Sequence, residues 1–147
     1  MFAGSHQLTI DDKGRLAIPA RFRQQLADGP GLQLVVTKGP DHCLEIYPAA
    51  EFRRITDQIE QMENRDDAEL LKMAFVGLAA EAEVDRQGRI SVPPMLREMA
   101  QLDGPVVLAG QINRFNLWSE TQWKEMFGTG PNSIQAALKG AFRNLRR

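Results

Sequence analysis

The sequence predicts an α+β protein made of two tandem copies of one small β unit, related by a pseudo-two-fold axis and flanked by peripheral helices. Three observations predict it. Residues 9–23 (TIDDKGRLAIPARFR) align with residues 83–97 (EVDRQGRISVPPMLR) at an offset of 74, with five identities and four further apolar matches. Short stretches in both copies alternate apolar and polar residues, the period of a half-buried strand. Apolar residues at helical spacing then follow each copy, beginning with Phe52, Ile55, Ile59 and Met62 between the units.

The first unit spans residues 5–51. A strand ends at Ile10, and Asp11-Asp12-Lys13-Gly14 is turn chemistry in which Gly14 can take a positive φ. In the strand that follows, Leu16 and Ile18 share one face and Arg15 and Ala17 the other. Pro19 ends this strand and suits the first turn of a helix carrying Phe22 and Leu26. Residues 32–37 and 43–47 read as strands separated by a Gly39-Pro40-Asp41 turn. Residues 52–78 form a helical linker, in which Asp66 or Asp67 caps a second helix presenting Leu71, Phe75 and Leu78.

The second unit, residues 79–122, repeats the plan around Asp85, Gly88 and Arg89. Leu44-Glu45-Ile46-Tyr47 and Phe52 correspond to Phe115-Asn116-Leu117-Trp118 and Trp123, so these aromatics read as packing residues. Ser119 followed by Gln122 resembles a capping box. The tail, residues 123–147, contains a Gly-rich linker and a last helix capped by Ser133. That helix has Ile134, Leu138, Phe142 and Leu145 on one side and Lys139, Arg143, Arg146 and Arg147 as a basic face.

Composition narrows the function. The chain has 147 residues, 43% hydrophobic and 25% charged, which is ordinary globular usage. A chain this long buries roughly 68–70% of its unfolded surface, so it needs no staple. Cys43 is the single cysteine, which excludes an intrachain disulfide and fits a reducing cytosol. The first residues lack a basic start and an apolar run, so no signal peptide is expected. The net charge of −1 hides an uneven distribution. Residues 13–23 carry Lys13, Arg15, Arg21 and Arg23 without an acid, and residues 86–97 carry Arg86, Arg89 and Arg97 without an acid. Residues 51–69 hold seven acids and three bases.

The repeated Asp-x-x-Gly-Arg carries the candidate chemistry. Arg15 and Arg89 point away from the core face, where a planar guanidinium suits bidentate pairing with guanine or phosphate oxygens. The alternative is an internal Asp–Arg salt bridge, since Asp11 and Arg15 flank the same turn, as do Asp85 and Arg89; the two readings are compatible, because the Asp can cap turn N–H groups while the Arg meets its ligand. His6, His42 and Cys43 show no metal-ligand spacing, and neighbours on a strand cannot form a nucleophile pair. No catalytic residue, metal, cofactor, small-molecule substrate or membrane segment is expected.

The motif Ile10-Asp11-x-Lys13-Gly14-Arg15-x-x-x-Pro19, with its copy Val84-Asp85-x-x-Gly88-Arg89-x-x-x-Pro93, resembles the SpoVT-AbrB swapped-hairpin domain. Two such units, opened by Met1-Phe2-x-Gly4 and ending in LAGQINRFNLWSETQW over residues 108–123, resemble the MraZ family of regulators of the bacterial division and cell-wall gene cluster. The resemblance covers about residues 1–124. It implies interleaved hairpins forming a barrel, a homo-oligomeric ring, and binding to direct repeats in double-stranded promoter DNA of the chain's own operon. It places the motif arginine on Arg15 and Arg89, with Lys13, Arg21, Arg23 and Arg86 as further DNA-binding positions and Asp11, Gly14, Asp85 and Gly88 as turn residues. It also implies a cytoplasmic, nucleoid-associated repressor. Gln87 and Met95 depart from Lys13 and Arg21, so the second unit is expected to contribute less. A protein-binding scaffold or antitoxin-like module is the alternative reading.

Overall fold

The computed structural model describes residues 1–147 as a mixed α+β fold with eight strands and six helices. The first unit runs β1 (Ser5–Ile10), β2 (Arg15–Ala17), α1 (Ala20–Asp28), β3 (Gln33–Lys38), β4 (Leu44–Pro48) and α2 (Ala49–Glu60). Next come α3 (Arg65–Leu71) and a π turn at Lys72–Val76. The same order returns as β5 (Ala80–Glu83), β6 (Arg89–Ser91), α4 (Pro94–Met99), β7 (Gly104–Gly110), β8 (Phe115–Ser119) and α5 (Glu120–Phe127). A last helix, α6 (Gln135–Arg143), follows.

The strands form a six-stranded antiparallel sheet, β1-β7-β8-β4-β3-β5, and a two-stranded ribbon, β2-β6. Each unit's first strand pairs with the other unit's third, β1 with β7 and β5 with β3. The register shows the pseudo-symmetry directly. Leu16 faces Ile90 at the middle of the ribbon, and Glu45 faces Asn116 where β4 meets β8; each is a pair of equivalent positions. The axis therefore passes through both pairs. Crossed backbone bonds lock the ribbon, Ile18 N–H to Gly88 O and Val92 N–H to Gly14 O, both 2.8 Å.

One core of 21 buried residues serves both units, with Leu16, Ile18, Phe22 and Leu26 meeting Ile90, Val92, Leu96 and Leu108. Phe2 bridges to Ile112 and packs 4.4 Å from the Phe115 ring, which ties the N-terminus to the core. Strands β3 and β4 are buried on both faces, because α2, α3 and the π turn cover the outer side. There Tyr47, Ile59, Ala68 and Phe75 form a second cluster. No helix is long and apolar enough to cross a membrane.

Several local expectations need correction. The N-cap of α3 is Asn64, whose Oδ1 accepts the Asp67 N–H at 3.0 Å. Asp66 and Asp67 lie instead in the first turn, beside the positive end of the helix dipole. The apolar face there runs through a π turn, which leaves Leu71 exposed while Phe75 is buried. Ser119 caps α5 through the Gln122 N–H at 3.1 Å, but the Gln122 side chain turns to Gln101 and leaves the capping box half made. Ser133 accepts the Gln135 N–H, while Ile134 occupies the cap position of α6. Trp123 is half-buried, less enclosed than Tyr47 and Trp118.

Candidate nucleic-acid interface

The β2–β6 ribbon presents two faces. Leu16 and Ile90 enter the core at 0% and 1% exposure. Arg15 and Ala17 of one strand, with Ser91 and Arg89 of the other, form the outer face. Arg15 pairs with Ser91 and Ala17 with Arg89, so the two arginines lie diagonally across the ribbon and are related by the pseudo-axis.

Each arginine follows a turn built by its own aspartate. Asp11 Oδ1 accepts the N–H groups of Lys13 and Arg15 at 3.0 and 2.8 Å. Asp85 Oδ1 accepts those of Gln87 and Arg89 at 2.8 and 2.9 Å. The Arg15 backbone N–H is the main cause that holds the Asp11 carboxyl below its ordinary range, aided by the Arg15 side chain. The Arg89 backbone N–H does the same for Asp85. The turns close through Gly14 at φ 81° and Gly88 at φ 78°, a region that costs a side chain.

The side-chain pairing differs between copies. Arg15 Nε donates to Asp11 Oδ2 at 2.7 Å. Arg89 Nε lies 3.5 Å from Asp85 Oδ2 and has no hydrogen-bond partner. In the first copy one of the five guanidinium N–H donors is used and four remain for a ligand.

Lys13, Arg21 and Arg86 are exposed around these turns. Arg23 is held differently. Its Nε donates to Ile18 O at 2.9 Å, and its side chain lies over Gly88, where a Cβ would meet it at 2.9 Å. Arg97 is its equivalent. It donates through Nε to Val92 O at 3.0 Å and through Nη1 to Asp12 O at 3.4 Å, and it packs on Gly14. These two arginines buttress the turn of the opposite unit. In the sequence Arg97 reads as part of the second basic patch and is not among the DNA-binding positions; its identity with Arg23 at the repeat offset was the signal for its buttressing role.

The residues of a conceivable enzyme are dispersed. His6 packs on Phe22, His42 is exposed in a hairpin, and Asp11 is engaged in its turn. Cys43 is buried against Pro40 O, and burial pushes its thiol up to about 11. No group of three or more His, Cys, Asp or Glu residues could hold a metal ion.

Comparison with known proteins agrees with this repeat. Residues 1–73 and 75–144 each match the family described as "MraZ protein, putative antitoxin-like". The second match reaches residue 144, so the similarity extends past residue 124 into the tail. The transcriptional regulator MraZ of Alcanivorax borkumensis is 44% identical over 131 residues, 88% of this chain and 90% of that protein. Its namesake in Moorella thermoacetica is 44% identical over 126 residues, 85% of each chain. That of Carboxydothermus hydrogenoformans is 43% identical over 141 residues, 95% of this chain and 92% of the relative. With both halves matched and relatives aligned along nearly their whole length, the chain belongs to the MraZ family of transcriptional regulators.

Proposed function

We propose that this transcriptional regulator binds double-stranded promoter DNA through the outer face of the β2–β6 ribbon and its flanking turns. The diagonal pair Arg15 and Arg89 is the observation that carries this reading. A two-stranded ribbon fits a B-DNA major groove about 12 Å wide. Arg15 and Arg89 are assigned to base edges or phosphates, and Lys13, Arg21 and Arg86 to phosphates. Arg23 contributes mainly by fixing the opposite turn. The fold is read as an AbrB-type swapped-hairpin barrel formed within one chain.

Few basic groups per chain give weak binding, with Kd of about 10⁻⁴–10⁻⁶ M, the nonspecific range. Joining several heads raises avidity by about 10²–10⁴. A ring of identical copies reading direct repeats in its own operon's promoter, and repressing the division and cell-wall genes there, satisfies this need. Such a protein works in the cytoplasm, at the nucleoid.

The test is fluorescence anisotropy on the duplex upstream of the chain's own coding region against a scrambled duplex, across a salt series. Selective binding is expected, with log K falling by about 0.9 per phosphate neutralised per decade of salt. Arg15→Ala should weaken it by about 1–3 kcal/mol, roughly fivefold to 150-fold. Equal affinity for the two duplexes would remove the reading. The antitoxin-like alternative, a word that the family description also carries, predicts a stoichiometric protein partner and no duplex preference, and the duplication of the unit speaks against it.

A further inference from the structure

The fold re-sorts the charges that the sequence groups into two basic stretches. Helix α1 of the first unit lies against the turn of the second. Arg23 packs over Gly88, and a cleft of 440 Å³ between α1 and that turn is lined by Arg23, Gln24, Asp85 and Arg86. Helix α4 lies against the first unit's turn in the same way. Arg97 packs over Gly14 and donates to Asp12 O, and a cleft of 420 Å³ beside it is lined by Glu98, Gln101 and Asp103. Each end of the β2–β6 ribbon is therefore built from one unit's turn and the other unit's helix.

The two ends differ in charge. At the Arg89 end, the turn supplies Arg86 and Arg89 and α1 supplies Arg21 and Arg23, against Asp85. At the Arg15 end, Lys13, Arg15 and Arg97 meet Asp11, Asp12 and Glu98, with Asp103 on the wall of the cleft. Position for position, Asp12 stands where the other end has Arg86, Met95 where it has Arg21, and Glu98 where it has Gln24. The Arg89 end thus carries an excess of positive charge and the Arg15 end carries none. The arginines themselves are also held differently. Arg15 Nε is fixed on Asp11 Oδ2 at 2.7 Å, which sets the plane of its remaining donors. Arg89 Nε lies 3.5 Å from Asp85 Oδ2 without a hydrogen bond. A planar fork in a fixed plane is what bidentate pairing with a base edge demands. A phosphate needs only positive charge within reach.

We infer that the two ends of the ribbon divide the work of recognition. The Arg89 end is the phosphate anchor, where Arg21 and Arg86 flank Arg89 and each neutralises a phosphate. The Arg15 end reads sequence, with the Arg15 fork paired to guanine O6 and N7. Its near-neutral surroundings add little attraction of their own, so contact there depends on the base presented. Arg23 braces the anchor's turn. This inference rests on the duplex-binding reading above and assigns each end its part.

Fluorescence anisotropy on the full chain tests it, with the duplex upstream of its own coding region and a scrambled duplex, across a salt series. Arg21→Gln and Arg86→Gln, both at exposed positions, should weaken binding to the two duplexes by the same factor, and each should lower the salt slope by about 0.9. Lys13→Gln, at an exposed position of the other end, should lower it by about half of that or less. Lysine substitutions separate the two arginines. Arg15→Lys keeps the charge and loses the fork, so the preference for the chain's own duplex should fall roughly fivefold to 150-fold at an unchanged slope. Arg89→Lys should keep that preference, because a phosphate accepts a point charge. Both lysine variants retain the backbone N–H groups that the turn aspartates bind, and circular dichroism melts check that every variant folds. Equal losses of slope in Arg86→Gln and Lys13→Gln would overturn the division. So would a preference kept in Arg15→Lys, or lost as much in Arg89→Lys as in Arg15→Lys; duplex recognition would stand in each case. Wild type without a preference for its own duplex would overturn that recognition itself.

Discussion

The turns carrying Arg15 and Arg89 share a backbone and differ in what they project outward. Asp11 and Asp85 fold their turns with the same two N–H bonds, and Gly14 and Gly88 close them at nearly the same φ. Outward, Asp12-Lys13 stands where the second copy has Arg86-Gln87, and Arg21 stands where it has exposed Met95. Arg15 is gripped by its aspartate at 2.7 Å; Arg89 lies 3.5 Å from its own. Positions that answer to backbone geometry are held in both copies. Arg15 and Arg89 are held as well, while the exposed positions around them have diverged. A symmetric scaffold thus supports an asymmetric surface, which suits a protein meeting different groups with its two halves.

The comparison breaks most easily at the axis. Leu16 and Ile90 fill one shared core, so Leu16→Ala and Ile90→Ala should each cost about 2–5 kcal/mol. Urea denaturation reads both. A loss confined to one of them would mean that the units hold separate cores.

The glycines sharpen it. A Cβ at Gly14 would lie 2.6 Å from Val92 O, a backbone atom already bonded to the other unit. A Cβ at Gly88 would meet the flexible Arg23 side chain first, at 2.9 Å. Left-handed backbone costs either alanine about 1–2 kcal/mol. Gly14→Ala should therefore destabilise more, by about 2–3 kcal/mol in all. Equal urea midpoints for the two variants would show that the turns pack alike.

Much of this organisation is legible in the sequence, for physical reasons that differ by region. The repeat is visible because a turn closed by Asp and Gly tolerates few substitutes, and the alternation of Leu16 and Ile18 marks their face. The exchange of β1 and β5 between units is not visible in the residues themselves, since strand pairing leaves no mark in local periodicity; only the family resemblance implied interleaving. Arg23 reads as part of a basic patch, yet its Nε is committed to Ile18 O, a partner that only the folded chain brings near. The π turn at Lys72–Val76 is hidden for a similar reason. Its spacing still looks helical, while tertiary packing around Phe75 sets the extra residue. The outer ribbon face was readable as a candidate site because charge and strand period coincide at Arg15 and Arg89.

The smallest effect expected concerns acid. Asp11 and Asp85 are both held below the ordinary value of 3.8, chiefly by the backbone N–H of Arg15 and of Arg89. A carboxyl whose folded pKa is depressed contributes stability that is whole above its unfolded pKa and is lost as pH falls through the folded one. Wild type should therefore lose stability below about pH 4, the unfolded Asp range. Asp11→Asn and Asp85→Asn keep an oxygen for the turn and remove the charge, so each should flatten that decline, and the double variant should flatten it further. Arg15→Ala keeps the Arg15 backbone N–H, the leading cause at Asp11, and should leave most of the pH dependence in place. Urea midpoints measured from neutral pH down to about pH 3 would decide this. If Arg15→Ala flattened the curve as much as Asp11→Asn, the side-chain ion pair rather than the turn would set the acid response of the first copy.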